Sequence, residues 1–208
     1  MTSPSKFWDR IAERYARRPV TDEASYQEKL RITREYLRPD MKVLEFGCGT
    51  GSTAIAHAPH VQHILAIDVS SKMLQIARRR AEAGNARNVT FRQAGIDEFG
   101  AADGSYDVVM GHSILHLVED PDAVTSKIYR MLKPGGVFVS STACLADRQS
   151  YLKLILPAVR LVGYAPSVLK FFTTQELMDS LTAAGFAIDR QWQPGKNKAV
   201  FIVAKKPG

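Results

Sequence analysis

Lys42-Val43-Leu44-Glu45-Phe46-Gly47-Cys48-Gly49-Thr50-Gly51, followed further on by Ile64-Leu65-Ala66-Ile67-Asp68, is the stretch that orders the rest of the chain. A short apolar run ends in Glu45, a glycine alternates with one other residue, and Ser52-Thr53-Ala54-Ile55-Ala56 follows. That pattern reads as strand, tight turn and helix start. Glycine has no Cβ, so Gly47, Gly49 and Gly51 can take positive φ and let a ligand approach the backbone, with the free N–H groups of the new helix aimed at it. The second apolar run delivers Asp68 to the same edge. A carboxylate at the end of the second strand of a βαβ unit can accept both hydroxyls of a ribose. The unit therefore reads as a nucleoside-binding half-site.

The loop is G-x-G-x-G and not the G-x-G-x-x-G of dinucleotide folds. With Glu45 before it, Asp68 at its spacing and the later Leu132-Lys133-Pro134-Gly135-Gly136, the chain resembles the class I S-adenosylmethionine-dependent methyltransferases, in particular the ubiquinone and menaquinone biosynthesis type. The resemblance covers roughly residues 42–139 and extends more loosely to a C-terminal hairpin. It implies one methyltransferase domain over 1–208, Rossmann-like and seven-stranded, mostly parallel, with one antiparallel strand in the C-terminal hairpin. It implies S-adenosylmethionine as cofactor, leaving as S-adenosylhomocysteine. Glu45 would organise the glycine loop and the methionine amino group, and Asp68 would hold the ribose with Val69 and Met73 beside it. Gly47, Cys48, Gly49 and Gly51 would line the backbone approach. Counting back from Tyr106-Asp107, the acidic position that in this family reads the adenine amino group falls on Gly95, and the backbone N–H position on Ile96. Either Asp97 takes over the amino contact or the adenine is held by stacking and backbone alone.

The chain has 208 residues, 45% hydrophobic and 24% charged, an ordinary composition for one domain with a buried core. No apolar run approaches the ~18 residues of a membrane span, and the polar start lacks a signal peptide's hydrophobic region, so a cytoplasmic protein without stable membrane insertion is expected. Two cysteines, Cys48 and Cys144, make no disulfide framework. The net charge of +7 admits a solvated surface, an anionic small substrate or lipid surface, or nucleic acid. The cationic clusters Arg17-Arg18, Arg78-Arg79-Arg80 and Lys205-Lys206 are far apart in sequence. The triple Arg is expected on the solvated outer face of a helix, and no nucleic-acid partner is expected.

Residues 7, 8, 11, 12 and 15 are apolar at helical spacing, Pro19 ends that stretch, and a second helix is expected over 26–37. In the resembled family such helices, here 1–38, lie across the cofactor as a cap, with Trp8, Tyr15 and Tyr26 as the aromatic candidates. Packing of the helices onto the sheet explains the same aromatics. A helix over 52–58 ending at Pro59, a strand over 64–68 and a helix capped by Ser70 or Ser71 follow, the last with Met73, Leu74, Ile76 and Ala77 inward and Gly84-Asn85 as its stop. His57, His60 and His63 are interrupted by Pro59 and joined by no cysteine or carboxylate, so no metal site is expected. Strands over 89–92, 107–111 and 137–141 complete five, joined by helices, hence a parallel doubly wound sheet.

The fourth strand releases His112 and His116 at the carboxyl edge, where α/β ligands bind. Residues 143–172, apolar and broken by Pro157, Gly163 and Pro166, read as an insertion. A lid over an apolar acceptor, a homodimer contact and a membrane-facing patch all remain open for it. Thr173 and Glu176 then open a capping-box helix closed by Gly185, and strands over 186–192 and 199–204 form the hairpin.

Methyl transfer from a sulfonium is an in-line displacement, assisted by alignment and exclusion of water. It needs a base only when the acceptor cannot lose its proton unaided. His112, also placed next to the cofactor, and His116 are the candidate bases. The acceptor expected is small and mostly hydrophobic. A nicotinamide-dependent oxidoreductase is disfavoured by the loop and the hairpin, and a non-catalytic S-adenosylmethionine-binding module is the other alternative.

Overall fold

The computed structural model describes residues 4–147, 165–195 and 198–208. Seven strands form one sheet: β1 (Lys42–Phe46), β2 (His63–Asp68), β3 (Val89–Gln93), β4 (Tyr106–His112), β5 (Leu132–Thr142), β6 (Ala187–Trp192) and β7 (Val200–Lys205). The order across the sheet is β3-β2-β1-β4-β5-β7-β6. β7 runs antiparallel to both β5 and β6, and the other pairings are parallel. This is the α/β doubly wound sheet with an antiparallel hairpin strand that the pattern predicts.

The chain winds outward from β1 through β2 to β3, then returns to the other side of β1 and continues through β4 and β5. The reversal leaves a crevice above the carboxyl ends of β1 and β4, the place where open α/β sheets bind ligands. Glu45, Asp68 and His112 all stand at that edge because Asp68 and His112 end their strands and Glu45 is one residue short of the end of its own.

Alternation along the strands splits the core in two. Leu44, Phe46, Val109, Phe138 and Ile202 face helices α5 (Pro121–Met131) and α6 (Thr174–Ala183). Val43, Ile64, Val108, Met110, Val139 and Phe201 face the other layer, which includes α2 (Glu23–Arg34) and α3 (Ser52–His57). Helix α4 (Ser71–Ala83) buries Met73, Leu74, Ile76 and Ala77, and α1 (Pro4–Arg17) packs its Trp8, Ile11 and Ala12 on Met73 and Ile76. Ser70 caps α4, and Thr173 and Glu176 form the reciprocal capping box of α6.

Three local expectations change. The stretch at Pro59 is a 3-10 turn, Ala58–His60, continuing directly from α3, because a proline is tolerated where its missing N–H has no partner to lose. Lys133-Pro134-Gly135-Gly136 lies inside β5, where Tyr106 pairs with Leu132 and Val108 already pairs with Val137. The intervening residues loop out between those two pairings. Third, Arg80 is not on the solvated face: residues 73, 77, 80 and 81 share the inner stripe of α4, and its guanidinium donates to Thr50 Oγ1 at 2.8 Å and to the Ala16 carbonyl at 2.8 Å.

Candidate active site

The glycine loop turns as its composition requires, with φ of +64°, +53° and +77° at Gly47, Gly49 and Gly51. Two of these positions differ in what surrounds them. A Cβ on Gly47 would meet the Ile114 side chain at 2.6 Å, whereas one on Gly49 would project into open space. Gly47 is thus small for packing, whereas Gly49 borders open space.

Asp68 closes the loop from below. Its Oδ2 accepts the Gly49 N–H at 2.8 Å and its Oδ1 accepts the Ser70 N–H at 2.9 Å. Each carboxylate oxygen has two lone pairs, so both retain acceptor capacity for a ligand hydroxyl. Burial pushes the Asp68 carboxyl up from its ordinary range, offset by those N–H donors and reinforced by the nearby Asp9. Asp9, on α1, accepts from the Ser70 hydroxyl at 2.6 Å and from the Lys72 N–H at 3.1 Å. Helix α1 is therefore tied to the start of α4 beside Asp68, a link for which the sequence carries no signal.

Glu45 is 2% exposed, and its Oε2 has no hydrogen-bond partner among the described residues. Burial first, and the Asp68 charge second, push its pKa up to about 8 against an opposing backbone hydrogen bond from Ala54. A buried carboxylate oxygen with nothing to accept from is costly.

At the far side of the crevice β4 delivers His112, half-buried, its pKa lowered to about 4 by burial of the ring and by the charge of Lys29. Its ring stacks on Phe201 with centroids 6.4 Å apart and 10° between planes. The Nε2 atom is buried without a hydrogen-bond partner among the described residues, as are both ring nitrogens of His57. His116 lies in a 3-10 turn, its pKa lowered to about 4 by burial. Lys29 and Ser141, not anticipated from the sequence, complete this side: Lys29 Nζ donates to Ser141 Oγ at 2.8 Å. Helical spacing carries a partial signal, since Tyr26, Lys29 and the buried Thr33 share one face of α2. Among the described residues, no group of three or more His, Cys, Asp or Glu side chains could hold a metal ion.

The remaining expected residues distribute as follows. Met73 and Cys48 are buried, Val69 is half-buried, and Tyr15 is 49% exposed on the outer part of α1. Tyr26 stands under α2 facing Thr53 and within electrostatic reach of Glu45. Ile96 is buried while Asp97 is exposed. The carbonyls of both accept from Lys127 Nζ, at 2.9 and 2.8 Å, which holds the loop after β3 beside Gly95. Of the insertion, 148–164 lie outside the described residues. Its flanks are pinned at the carboxyl edge, with the Lys170 N–H on the His116 carbonyl at 2.8 Å and the Ala146 N–H on the Phe172 carbonyl at 3.2 Å.

Residues 37–185 match a family model described as a methyltransferase domain. The chain belongs to that methyltransferase-domain family. Among its relatives, the ubiquinone biosynthesis O-methyltransferase of Acinetobacter baumannii is 30% identical over 152 residues, 71% of this chain and 64% of that protein. A demethylmenaquinone methyltransferase of Symbiobacterium thermophilum is 28% identical over 158 residues, 72% of this chain and 61% of that protein. The methyltransferase-domain chain thus spans less than two thirds of the length of these relatives. Its fold also matches the YcgJ protein from Bacillus subtilis, with a TM-score of 0.73 at 18% identity over 88% of this chain and 99% of the other.

Proposed function

We propose that the chain transfers a methyl group from S-adenosylmethionine to a small, largely hydrophobic molecule by in-line displacement. The observation that carries the reading is the orphaned, desolvated Oε2 of Glu45 standing beside the open cradle at Gly49, in a member of the methyltransferase-domain family. The donor set suits this cofactor in three ways. Glu45 offers a carboxylate to its ammonium, Asp68 keeps lone pairs for the ribose hydroxyls, and the loop after β3 holds Gly95, Ile96 and Asp97 where the adenine would lie. When bound, the cofactor supplies an electrophilic methyl on a sulfonium.

The chain's own residues align and shelter that group. Gly47, Cys48, Gly49 and Gly51 give the backbone approach, and Val69 and Met73 flank the ribose. The N-terminal helices, with Trp8 and Tyr26, and the described flanks of the insertion would exclude water, which strengthens the electrostatics inside and keeps the reacting groups in line. His112, neutral throughout the physiological range because its pKa is about 4, can accept a proton at Nε2 from the acceptor. His116 is the secondary candidate for that proton. A cytoplasmic setting agrees with the free thiols of Cys48 and Cys144.

Calorimetric titration tests the first half of the reading, with saturable binding of S-adenosylhomocysteine expected and none of a nicotinamide dinucleotide. Incubation of the chain with methyl-labelled S-adenosylmethionine and a small-molecule cell extract tests the second. Cofactor binding without any labelled product would favour a non-catalytic module.

A further inference from the structure

Lys29 poses a problem that the cofactor does not solve. It is half-buried on α2, burial lowers its pKa, and its ammonium donates to the Ser141 hydroxyl. Among the described residues it forms no ion pair with a carboxylate. The one acidic group that acts on it, Asp22, is itself held by Ser25 and by Lys198 at 3.3 Å. A partly desolvated cation with only a neutral partner is unfavourable, and a ligand anion would complete it.

The surroundings define that anion. Ser141 and His112 are register partners on neighbouring strands, and Ser141 Oγ, while accepting from Lys29, keeps its own hydrogen to donate. His112 is neutral, and among the described residues its Nε2 has no hydrogen-bond partner. One positive charge, a hydroxyl donor and a neutral ring suit a monoanion such as a carboxylate better than a phosphate dianion. The fully buried Phe201 stacks on the His112 ring and fixes its orientation.

The cofactor's own carboxylate is poorly placed to serve. β4 lies between β1, which carries Glu45, and β5, which carries Ser141, so two strand spacings, roughly 10 Å, separate them. The amino and carboxyl groups of the cofactor share one carbon, so an ammonium seated on Glu45 leaves its carboxylate on the glycine-loop side of β4. That spacing favours the other substrate as the source of the anion at Lys29.

We propose that the methyl acceptor carries a carboxylate, bound by Lys29 with Ser141 and His112 beside it, which makes Lys29 a specificity-determining residue. This deepens the methyl-transfer reading above and rests on it. The test uses the full chain and its Lys29→Met and Lys29→Arg variants with methyl-labelled S-adenosylmethionine. A small-molecule cell extract is first split by anion exchange at pH 8 into acidic and neutral fractions. The expected result is label incorporated from the acidic fraction, at least tenfold less with Lys29→Met and partly restored with Lys29→Arg. All three proteins should bind S-adenosylhomocysteine within threefold of one another, which also shows that the variants fold. Label drawn from the neutral fraction, or undiminished labelling by Lys29→Met, overturns the proposal. So does a tenfold loss of S-adenosylhomocysteine affinity in Lys29→Met alone, which would move the lysine to the cofactor's carboxylate. Absence of saturable cofactor binding by the unmodified chain would instead remove the reading on which the proposal rests.

Discussion

Replacing Glu45 with glutamine should stabilise the ligand-free protein and weaken cofactor binding at once. The carboxyl has a pKa of about 8 in the fold against an ordinary 4.5. Between those values the folded chain keeps a proton that the unfolded chain has released, so stability falls as pH rises through the window. The shift corresponds to roughly 5 kcal/mol lost by pH 8 and nothing lost below pH 4. Glu45→Gln is close to isosteric with the protonated acid, so its melting temperature should match the parent at pH 4.5 and exceed it by roughly 10–20 °C at pH 8.5.

Binding runs the other way. An ammonium on Glu45 needs the carboxylate, and ionising it at pH 7 costs about 1.4 kcal/mol. S-adenosylhomocysteine should therefore bind more tightly as pH rises, by up to about tenfold per unit below pH 8, with close to one proton released per site. At pH 8.5 the glutamine variant should lose roughly thirtyfold or more in affinity, the low end of the about 2–5 kcal/mol attached to truncating a buried charge pair. Titration calorimetry in two buffers of different ionisation enthalpy counts the protons. Affinity independent of pH, no proton release, and a glutamine variant binding within threefold of the parent would refute the pairing.

Three further outcomes follow from the same geometry. Gly49→Val would add a side chain at φ +53° into the open cradle, so S-adenosylhomocysteine binding should vanish while the fold loses only about 1–2 kcal/mol of backbone strain, readable by chemical denaturation. If His112 takes the acceptor's proton, the acid limb of the rate profile should fall near pH 4 and not near 6.5, because burial depresses its pKa. His112→Ala should then lower turnover at least a hundredfold with cofactor affinity intact. Arg80→Gln should free the end of α1 from the glycine loop, since the same guanidinium holds Ala16 and Thr50. A loss of about 1.5–3 kcal/mol in stability and faster amide exchange in α1 are expected, and unchanged exchange there would remove the strap.

Most of the scaffold was legible from local pattern. Apolar runs ending at Glu45, Asp68 and His112, the glycine alternation and the capping residues of α4 and α6 act through backbone geometry within a few residues, and the strand–helix alternation leaves few permitted topologies. The misreadings were positional. The three arginines of α4 look alike in composition, yet a 100° step per residue sends Arg80 inward. Lys29 reads as one more charge on an amphipathic helix until α2 is laid over β5.

What one-dimensional order specified was therefore the sheet, the loop and the carboxylates at the strand ends, because strand and helix periods and glycine's missing Cβ are local properties. What needed folding in space was the electrical character of the crevice. Burial pushes Glu45 toward its protonated form and His112 toward its neutral one, and leaves Lys29 without a carboxylate partner among the described residues, because strands and helices distant in sequence close over them and exclude water. Desolvation is a property of the packed neighbourhood, and no run of neighbouring residues encodes it.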